Sequence, residues 1–197
     1  MEVSDLQVSG LQVSGLQVSD LQVSGLQYYD LELGQGILEA LDAREWKAVT
    51  SAANSRTYQH YGFTYNYAAG KVGAACEPIP EFLKGLQEIL AEKCGVEDYF
   101  NQCIVNNYMP GQGISKHIDH RAYGDIIGCF TLESGAMMNF HYGKDTVSIY
   151  TRPNSLYIMS GDARYKWAHE MPARKSDIVD DLKIPRGRRV SVTFRHV

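Results

Sequence analysis

The chain has 197 residues, of which 44% are hydrophobic and 21% charged, and its formal net charge is −4 at pH 7. This length fits one globular domain with a sizeable core, and this composition excludes a fibrous chain and wholesale disorder. The acidic balance argues against a uniformly basic nucleic-acid binder, although residues 160–197 carry 9 basic and 5 acidic side chains and predict a local basic face.

The cysteines and the hydropathy pattern bear on the compartment. None of the four cysteines forms a C-x-x-C pair, and the N-terminal residues do not resemble a secretory signal. No stretch reaches the 18 or so apolar residues that a transmembrane helix requires. We therefore expect reduced cysteines, no membrane association, a cytoplasmic or nuclear location and a monomer.

A five-residue repeat, V-S-[GD]-L-Q, runs from Val3 through Gln27, and nothing downstream shares its period. Five copies make little more than one coil of a solenoid, and solenoids need several stacked units to bury a face. We expect residues 1–27 to form a flexible tail and residues 28–197 to form the folded domain. An ordered or partner-binding repeat is the alternative.

Two amphipathic helices are predicted ahead of a series of strands. Residues 36–53 place Ile37 and Leu41 near helical spacing, and a second helix is predicted over residues 80–94 after a proline start. After Val96, short β-branched and aromatic segments alternate with glycine, proline or charged turns. That succession predicts an antiparallel barrel or sandwich, so the fold class is mainly β with two supporting N-terminal helices.

A candidate metal site is built around the segment SKHIDH. His117 and Asp119 are two residues apart, so on an extended chain both side chains point to the same side. A third ligand from a distant strand would complete the triad of two histidines and a carboxylate that holds non-haem iron. His169 is the natural candidate, whereas His120 has the opposite parity. A polar turn is the alternative interpretation of an isolated H-x-D.

The C-terminal segment RRVSVTFR alternates polar with apolar residues. Its polar face holds Arg189, Ser191, Thr193 and Arg195. A solvated edge strand is one interpretation, but a ligand with two carboxylates needs a fixed planar cation, which arginine supplies better than lysine. Asn106 and Tyr108 also share a face and would bring an amide and a phenol to the same ligand.

Together these motifs resemble the AlkB family of Fe(II)- and 2-oxoglutarate-dependent dioxygenases over about residues 56–197. The family pattern N-x-Y-x-P-G, H-x-D, a distant H and R-x-x-x-x-x-R matches Asn106, Tyr108, Pro110, Gly111, His117, Asp119, His169, Arg189 and Arg195. GQGISKHID and RGRRVSVTFR resemble the branch that contains the dioxygenase domain of AlkB homologue eight, a tRNA wobble-uridine hydroxylase. The resemblance implies a double-stranded β-helix (jelly-roll) barrel that uses Fe(II), 2-oxoglutarate and dioxygen.

The resemblance also implies roles for individual residues. The iron ligands and catalytic residues would be His117, Asp119 and His169. The residues that hold 2-oxoglutarate would be Asn106, Tyr108, Arg189 and Arg195. We expect Arg195 to anchor the distal carboxylate and Arg189 to line the same pocket.

The tyrosine-rich residues 56–73 are similar to the nucleotide-recognition lid of the family. Candidate substrate-binding residues are Tyr58, Tyr61, Tyr65 and Tyr67, together with Arg121. Aromatic faces stack on bases, and enzymes that act on bases flip them out or use single strands. A strand with a half-buried aromatic face is the alternative interpretation. Basic residues that could contact phosphates are Arg56, Lys71, Arg164, Lys166, Arg174, Lys175, Lys183, Arg186 and Arg188.

The first functional hypothesis is oxidation of a nucleic acid, with RNA and DNA both open. The reaction would be oxidative demethylation of an alkylated base or hydroxylation of a modified tRNA base. The bacterial repair enzyme of the family has an acidic residue where this chain has Arg121, so a cationic methylated base is less favoured here, although Asp125 could compensate. The alternatives are oxidative demethylation of a methylated protein side chain and a catalytically silent binding module.

Overall fold

The computed structural model describes residues 23–33 and 36–197. The helices in these residues are α1 Ile37–Asp42, α2 Glu81–Cys94 and α3 Gly161–Tyr165. The strands up to the second helix are β1 Leu26–Asp30, β2 Lys47–Ala48, β3 Thr57–Tyr61, β4 Phe63–Asn66 and β5 Lys71–Ala75. The later strands are β6 Gln102–Tyr108, β7 Ile114–His117, β8 Ile127–Glu133, β9 Ala136–Tyr142, β10 Asp145–Thr151, β11 Ser155–Met159, β12 Ala168–Met171, β13 Ser176–Val179, β14 Leu182–Pro185 and β15 Arg189–Arg195. None of the described helices has the length and apolar character needed to cross a membrane.

Two antiparallel sheets face each other across the interior of the fold. The larger sheet has the order β1-β11-β8-β15-β6-β3-β2, and the smaller has the order β10-β9-β12-β7. Tyr157 and Met159 of the larger sheet share a buried cluster with Met138 and Phe140 of the smaller one. This mainly β architecture, with a jelly-roll core, confirms the predicted fold class.

The other face of the larger sheet is covered by α1 and α2. Leu41 of α1 and Leu83 of α2 are fully buried there against Phe130 and Val192. The predicted second helix is confirmed over residues 81–94. Gly95 caps its C-terminus with a φ of 65°, which glycine adopts readily. The larger sheet therefore packs against helices on one face, and its other face points into the space between the two sheets.

The first helix is shorter than the predicted span of residues 36–53, because α1 ends at Asp42. Lys47 and Ala48 instead pair with Tyr58 and Thr57 of β3. Strand pairing gives these backbone groups partners from outside the segment, which overrides local helical propensity.

The boundary predicted between residues 27 and 28 was also wrong, since it cuts through β1. Leu26 pairs with Met159 and Gln27 with Ile158, so the end of the repeat extends the large sheet. Val23 is only 1% exposed and packs in the core. The predicted flexibility of residues 1–22 concerns a part of the chain that lies outside the described residues.

Two arginines that the sequence placed among possible phosphate contacts are buried instead. Arg164 is 1% exposed and Arg186 is 8% exposed. Arg186 donates two hydrogen bonds to the buried carboxylate of Asp177, at 2.6 and 2.8 Å. The same carboxylate accepts from the backbone amide of Met137 on β9 at 3.2 Å, which ties the β13–β14 hairpin to the smaller sheet. Neither guanidinium is available to a phosphate backbone.

Candidate active site

The structure brings together the three residues that the sequence singled out as metal ligands. His117 ends β7 and Asp119 follows it, while His169 lies on β12 directly opposite His117 in the strand register. The two imidazole ring centroids are 4.4 Å apart, and Nε2 of His169 lies 4.0 Å from Oδ2 of Asp119. Antiparallel pairing of two short strands thus places two histidines and one carboxylate around a common point.

The protonation states of these groups suit metal binding. Burial lowers the pKa of His169 to about 4, although the Asp119 carboxylate opposes the shift, so the imidazole is neutral at pH 7. Burial alone would raise the pKa of Asp119, but Arg195 and the two histidines outweigh it and lower the value to about 2. Nδ1 of His117 donates a hydrogen bond to the Ser115 carbonyl at 2.7 Å, so the lone pair of its Nε2 is available to a metal ion.

The residues present fit a bound divalent metal, although their side chains are spaced more widely than the ligands of a bound ion. In the described residues no three His, Cys, Asp or Glu side chains already form a metal-ligand cluster. The 4.0 Å between His169 and Asp119 exceeds the separation of about 3 Å expected for neighbouring ligands of one octahedral ion. Oδ2 of Asp119 is buried and has no hydrogen-bond partner within residues 23–33 and 36–197, as expected for an oxygen that awaits a cation.

Behind these residues a cavity of about 40 Å³, termed the inner cavity, reaches into the barrel. As the alternation predicted, β15 directs its polar residues into this cavity and its apolar residues into the helix-covered core. The cavity wall includes Asn106, Tyr108, Arg189, Ser191, Thr193 and Arg195. All six side chains are buried, so they form a polar lining inside an otherwise apolar barrel.

Arg189 lies deep in the inner cavity. Its Nη2 donates to Oγ1 of Thr131 at 2.9 Å, and its guanidinium carbon lies 5.7 Å from the ring centroid of Tyr108. Its Nε is buried without a partner in the described part of the chain. A buried guanidinium with a free donor is a site for an anion.

Arg195 also lines the inner cavity, and its Nε and Nη1 are buried without a partner in the described residues. Its Nη2 donates to Oδ1 of Asp119 at 3.1 Å, and its guanidinium carbon lies 4.8 Å from the centre of the Tyr123 ring. Burial works to lower the pKa of Arg195, but the Asp119 carboxylate raises it above the usual value. Arg195 therefore lies beside the candidate metal ligand.

Residues 38–195 match a family model described as the 2OG-Fe(II) oxygenase superfamily. The chain belongs to this superfamily. It is accordingly an Fe(II)- and 2-oxoglutarate-dependent dioxygenase that uses dioxygen, and the cofactors predicted from the motifs are confirmed.

Similar proteins confirm the AlkB-like character of this 2OG-Fe(II) oxygenase. An uncharacterised protein of Acanthamoeba polyphaga mimivirus is 40% identical over 124 residues, which cover 60% of this chain and 59% of that protein. The tRNA (carboxymethyluridine(34)-5-O)-methyltransferase ALKBH8 of Macaca fascicularis is 32% identical, with 80% of this chain and 28% of that protein covered. The alkylated DNA repair protein ALKBH8 homolog of Arabidopsis thaliana is 31% identical, with 83% and 54% covered. The chain thus spans less than two thirds of the length of each of these relatives.

A solved structure agrees at the level of the fold. The structure of OsALKBH1 superposes with a TM-score of 0.60 and 15% sequence identity, covering 90% of this chain and 98% of that one. At this identity the likeness concerns the barrel alone, and the site must be argued from the residues of this oxygenase.

Two candidate ligands of the oxygenase, His117 and Asp119, are reached through a cleft of about 340 Å³, termed the outer cleft. Tyr65, Tyr67 and Tyr123 contribute aromatic rings to its wall, and Arg56 and Lys116 contribute positive charge. The outer cleft and the inner cavity share His117, Asp119, Asn106, Ile114 and Arg195. A substrate in the cleft would therefore meet the candidate metal ligands from one side and 2-oxoglutarate would meet them from the other.

The aromatic wall is a packed cluster from β4, the turn after β4 and the loop after Asp119. The ring centroids of Tyr65 and Tyr67 are 5.2 Å apart, and those of Tyr65 and Tyr123 are 6.2 Å apart. Tyr58 stands behind this wall, 5.0 Å from Tyr67, and does not line the outer cleft. Tyr123 was not foreseen from the sequence, although its position four residues after Asp119 was a signal that could have identified it.

Two predicted substrate contacts lie outside the cleft. Tyr61 is 2% exposed and belongs to the helix-covered core, because it has the opposite parity on β3 to Tyr58 and His60. Arg121 is exposed on the loop after Asp119 but is not part of the cleft wall. Of the five candidate substrate-binding residues, Tyr65 and Tyr67 line the cleft, and Arg56 from the possible phosphate contacts lines it as well.

Proposed function

We propose that this oxygenase hydroxylates a nucleic-acid base, with His117, Asp119 and His169 holding Fe(II). The observation that carries the proposal is the wall of the outer cleft, where aromatic rings and cationic side chains border two of the three candidate ligands, His117 and Asp119. Aromatic rings offer stacking surfaces for bases, and basic side chains attract phosphates. Half-buried Tyr65 and Tyr67 are able to stack on a base without unfolding the lid.

The division of labour between the two arginines follows from their positions. When bound, Fe(II) and 2-oxoglutarate supply the activation of dioxygen that hydroxylates a substrate C–H bond. Arg189 faces only the inner cavity, and its Cα lies about 20 Å along β15 from that of Arg195 at about 3.3 Å per residue. Arg189 is therefore the anchor for the distal carboxylate, in place of the expected Arg195. Arg195 holds Oδ1 of Asp119 and orients this carboxylate.

Asn106 and Tyr108, the other two residues predicted to hold 2-oxoglutarate, remain candidates for that role. Asn106 and Tyr108 both line the inner cavity from β6, so each can donate a hydrogen bond to a carboxylate. Oδ1 of Asn106 accepts from Nε of Arg56 at 3.3 Å, which links the co-substrate pocket to the cleft wall. Burial raises the pKa of Tyr108, so its phenol stays protonated as a donor.

The charge of the cleft favours a neutral or anionic group on the substrate. The cations of the wall are Arg56, Lys116 and Arg195, and the one carboxylate among the lining residues, Asp119, is paired with Arg195. A cationic methylated base would meet an environment of like charge. Arg121, on which the sequence-based preference for such a group rested, lies outside the cleft.

The names of the relatives leave both RNA and DNA as candidate substrates. The ALKBH8 protein of Macaca fascicularis is named for an activity on tRNA, and the homolog of Arabidopsis thaliana is named for repair of alkylated DNA. Hydroxylation of a methyl carbon bonded to a base nitrogen gives a hemiaminal whose C–N bond breaks to release formaldehyde and the bare base, whereas hydroxylation of a carbon bonded otherwise leaves a stable alcohol. The product therefore separates demethylation from base hydroxylation.

The test is a succinate assay with Fe(II), 2-oxoglutarate and air over a panel of tRNA, methylated single-stranded RNA and DNA, and methylated peptide. We expect tRNA or an oligonucleotide, but not the peptide, to raise succinate formation above the uncoupled rate, and mass spectrometry of the nucleosides to show the oxidised base. His117→Ala and Asp119→Ala should abolish turnover. Stimulation by the peptide alone would transfer the proposal to a protein substrate, and full turnover in either variant would remove the metal assignment.

A further inference from the structure

Arg164 makes an unusual set of contacts beside the candidate metal site. Its side chain is 1% exposed, and its guanidinium donates to four backbone carbonyls of one loop. Nη1 donates to Asp119 at 3.1 Å and Nε to Gly124 at 3.1 Å, while Nη2 donates to His120 at 2.8 Å and to Tyr123 at 3.0 Å. The loop of residues 119–124, termed the ligand loop, is thus wrapped around a single side chain.

The contacts are made by carbonyls and not by a carboxylate. None of the salt bridges within the described residues includes Arg164. A buried charge without an ionic partner is expensive, and it persists only where well-placed dipoles offset its desolvation. The four carbonyls can offset it only while the ligand loop keeps its present shape, so the cation and the loop conformation support each other.

The position of Arg164 in the chain joins two segments of the site. It lies in α3, which leads into β12 and His169, whereas the carbonyls belong to the loop that begins with Asp119. The same loop carries Tyr123, whose ring faces the guanidinium of Arg195. One side chain therefore ties the segment before one candidate ligand to the segment that contains another.

We propose that Arg164 is a positioning residue that sets the metal affinity of the site by fixing the ligand loop to α3. The inference rests on the proposed assignment of Asp119 and His169 as ligands. Arg164 itself touches neither the metal position nor the substrate cleft, and acts through the backbone of Asp119.

An ammonium group cannot replace this guanidinium. The four carbonyls are served by three different nitrogens of a planar fork, whereas lysine presents three donors from one nitrogen atom. Arg164→Lys keeps the charge and most of the volume, yet it cannot reach all four oxygens. It is therefore the variant that separates the loop geometry from the charge.

The experiment measures Mn(II) dissociation constants of the full chain with 2-oxoglutarate present, well below the melting temperature. Arg164→Lys should weaken Mn(II) binding about tenfold or more. Arg186→Lys is the matched control, because it makes the same change at another buried arginine that bonds Asp177 and the Pro172 carbonyl. The control should lower the melting temperature and leave the Mn(II) affinity within about twofold of wild type.

Hydrogen exchange of the metal-free wild type provides a second readout that needs no variant. The amides of Tyr123 and Gly124 bond to His120 O and His196 O, at 3.1 and 2.9 Å. If Arg164 fixes the loop, these amides exchange slowly before any metal is added. Fast exchange that becomes slow only on adding Mn(II) would overturn the proposal even if both variants failed to fold.

The outcomes distinguish the assignment of the metal ligands from the positioning role of Arg164. Wild-type protein that binds no Mn(II), or binds it unchanged in Asp119→Ala, contradicts the metal assignment itself. If wild type binds Mn(II) through Asp119 while Arg164→Lys binds it equally well, only the positioning role falls. Equal loss of affinity in Arg164→Lys and Arg186→Lys, in step with their stability, would likewise reduce Arg164 to a structural role.

Discussion

Nη2 of Arg195 donates a hydrogen bond to Oδ1 of Asp119 over 3.1 Å, and both side chains are at least nine-tenths buried. This contact assigns one oxygen of the carboxylate to the protein and leaves Oδ2 free for a cation. It also separates the tasks of the two arginines on β15, because a guanidinium bonded to a metal ligand is poorly placed to hold the far end of a co-substrate.

The first prediction concerns Arg189. Arg189→Met should raise the half-saturating concentration of 2-oxoglutarate at least tenfold, because a hydrogen-bonded ion pair with a carboxylate contributes about 1.5–3 kcal/mol. The Mn(II) affinity measured without 2-oxoglutarate should stay within about twofold of wild type. Arg195→Met should do the reverse and mainly weaken Mn(II) binding. A larger 2-oxoglutarate defect in Arg195→Met would restore Arg195 as the distal anchor.

The sequence predicted the interior of the site well because strand alternation has a period of two. Once RRVSVTFR is a strand, the positions of Arg189 and Arg195 on the cavity face follow from parity alone, and the structure has them there. The same rule brought Asn106 and Tyr108 to that cavity. The convergence of His169 with His117 depended on the ordered motif as a whole, since strand pairing between distant segments has no local signal.

What failed was decided by tertiary contacts. The helix predicted through residue 53 stops at Asp42 because β3 offers Lys47 a strand partner. Tyr61 was placed in the lid by its aromatic character, but its parity turns it into the core, where its hydroxyl donates to Gln59. The partner of Arg195 could not be foreseen, because no pattern in the sequence states that Asp119 lies within hydrogen-bond reach.

The second prediction concerns the aromatic wall of the outer cleft. Tyr67→Ala should lower succinate formation stimulated by tRNA or oligonucleotide about tenfold, because stacking of one base on an aromatic ring contributes about 1–3 kcal/mol. The uncoupled turnover of 2-oxoglutarate should stay unchanged, since the ring does not line the inner cavity. Tyr142→Ala is the control, because Tyr142 is 51% exposed, packs at an angle against Trp167 and does not line the cleft. Equal losses in both variants would argue against base stacking.

The third prediction tests the buried ion pair between Asp177 and Arg186 in the β13–β14 hairpin. Asp177 accepts from Arg186 at 2.6 and 2.8 Å and from Arg174 at 2.7 Å. Asp177→Asn should lower the free energy of unfolding by about 3–5 kcal/mol, because it leaves the buried Arg186 without its counter-ion. Asp162→Asn, which removes an exposed pair with Lys166, should lower the free energy of unfolding far less, because solvent screens an exposed ion pair. Urea unfolding of both variants measures the two losses in the free energy of unfolding. Equal losses would contradict a stabilising role for the buried ion pair between Asp177 and Arg186.

Asp177 also makes the free energy of unfolding depend on pH. Burial raises the pKa of Asp177, but the hydrogen bonds from Arg186, Met137 and Arg174 outweigh it and hold the value below the ordinary 3.8. The stabilisation is therefore complete above pH 3.8 and is lost as the pH falls through the lower, folded-state pKa. Asp177→Asn should unfold with a weaker acid dependence in this range, and an unaltered dependence would place the acid sensitivity elsewhere.

The fourth prediction concerns His60, which lies under the aromatic wall. Its Nδ1 accepts from the Tyr65 amide and its Nε2 bonds the Tyr67 hydroxyl, both at 3.3 Å, so the neutral ring fits both partners. Burial first, and then the positive charges of Arg195 and Lys47, lower the pKa of His60 to about 4 from 6.5. Protonation of Nδ1 would break the bond from Tyr65.

Between these two pKa values the unfolded chain binds a proton that the folded chain does not. Stability should therefore be complete above pH 6.5 and decline by about 1–2 kcal/mol as the pH falls towards 4, after allowance for the partial exposure of the ring. His60→Gln keeps a donor and an acceptor but cannot titrate, so it should lose this part of the slope. Urea unfolding at pH 4.5 and 7.5, compared between wild type and variant, measures it. A wild-type His60 that titrates near 6.5 by NMR would show that the lid does not bury the ring in solution.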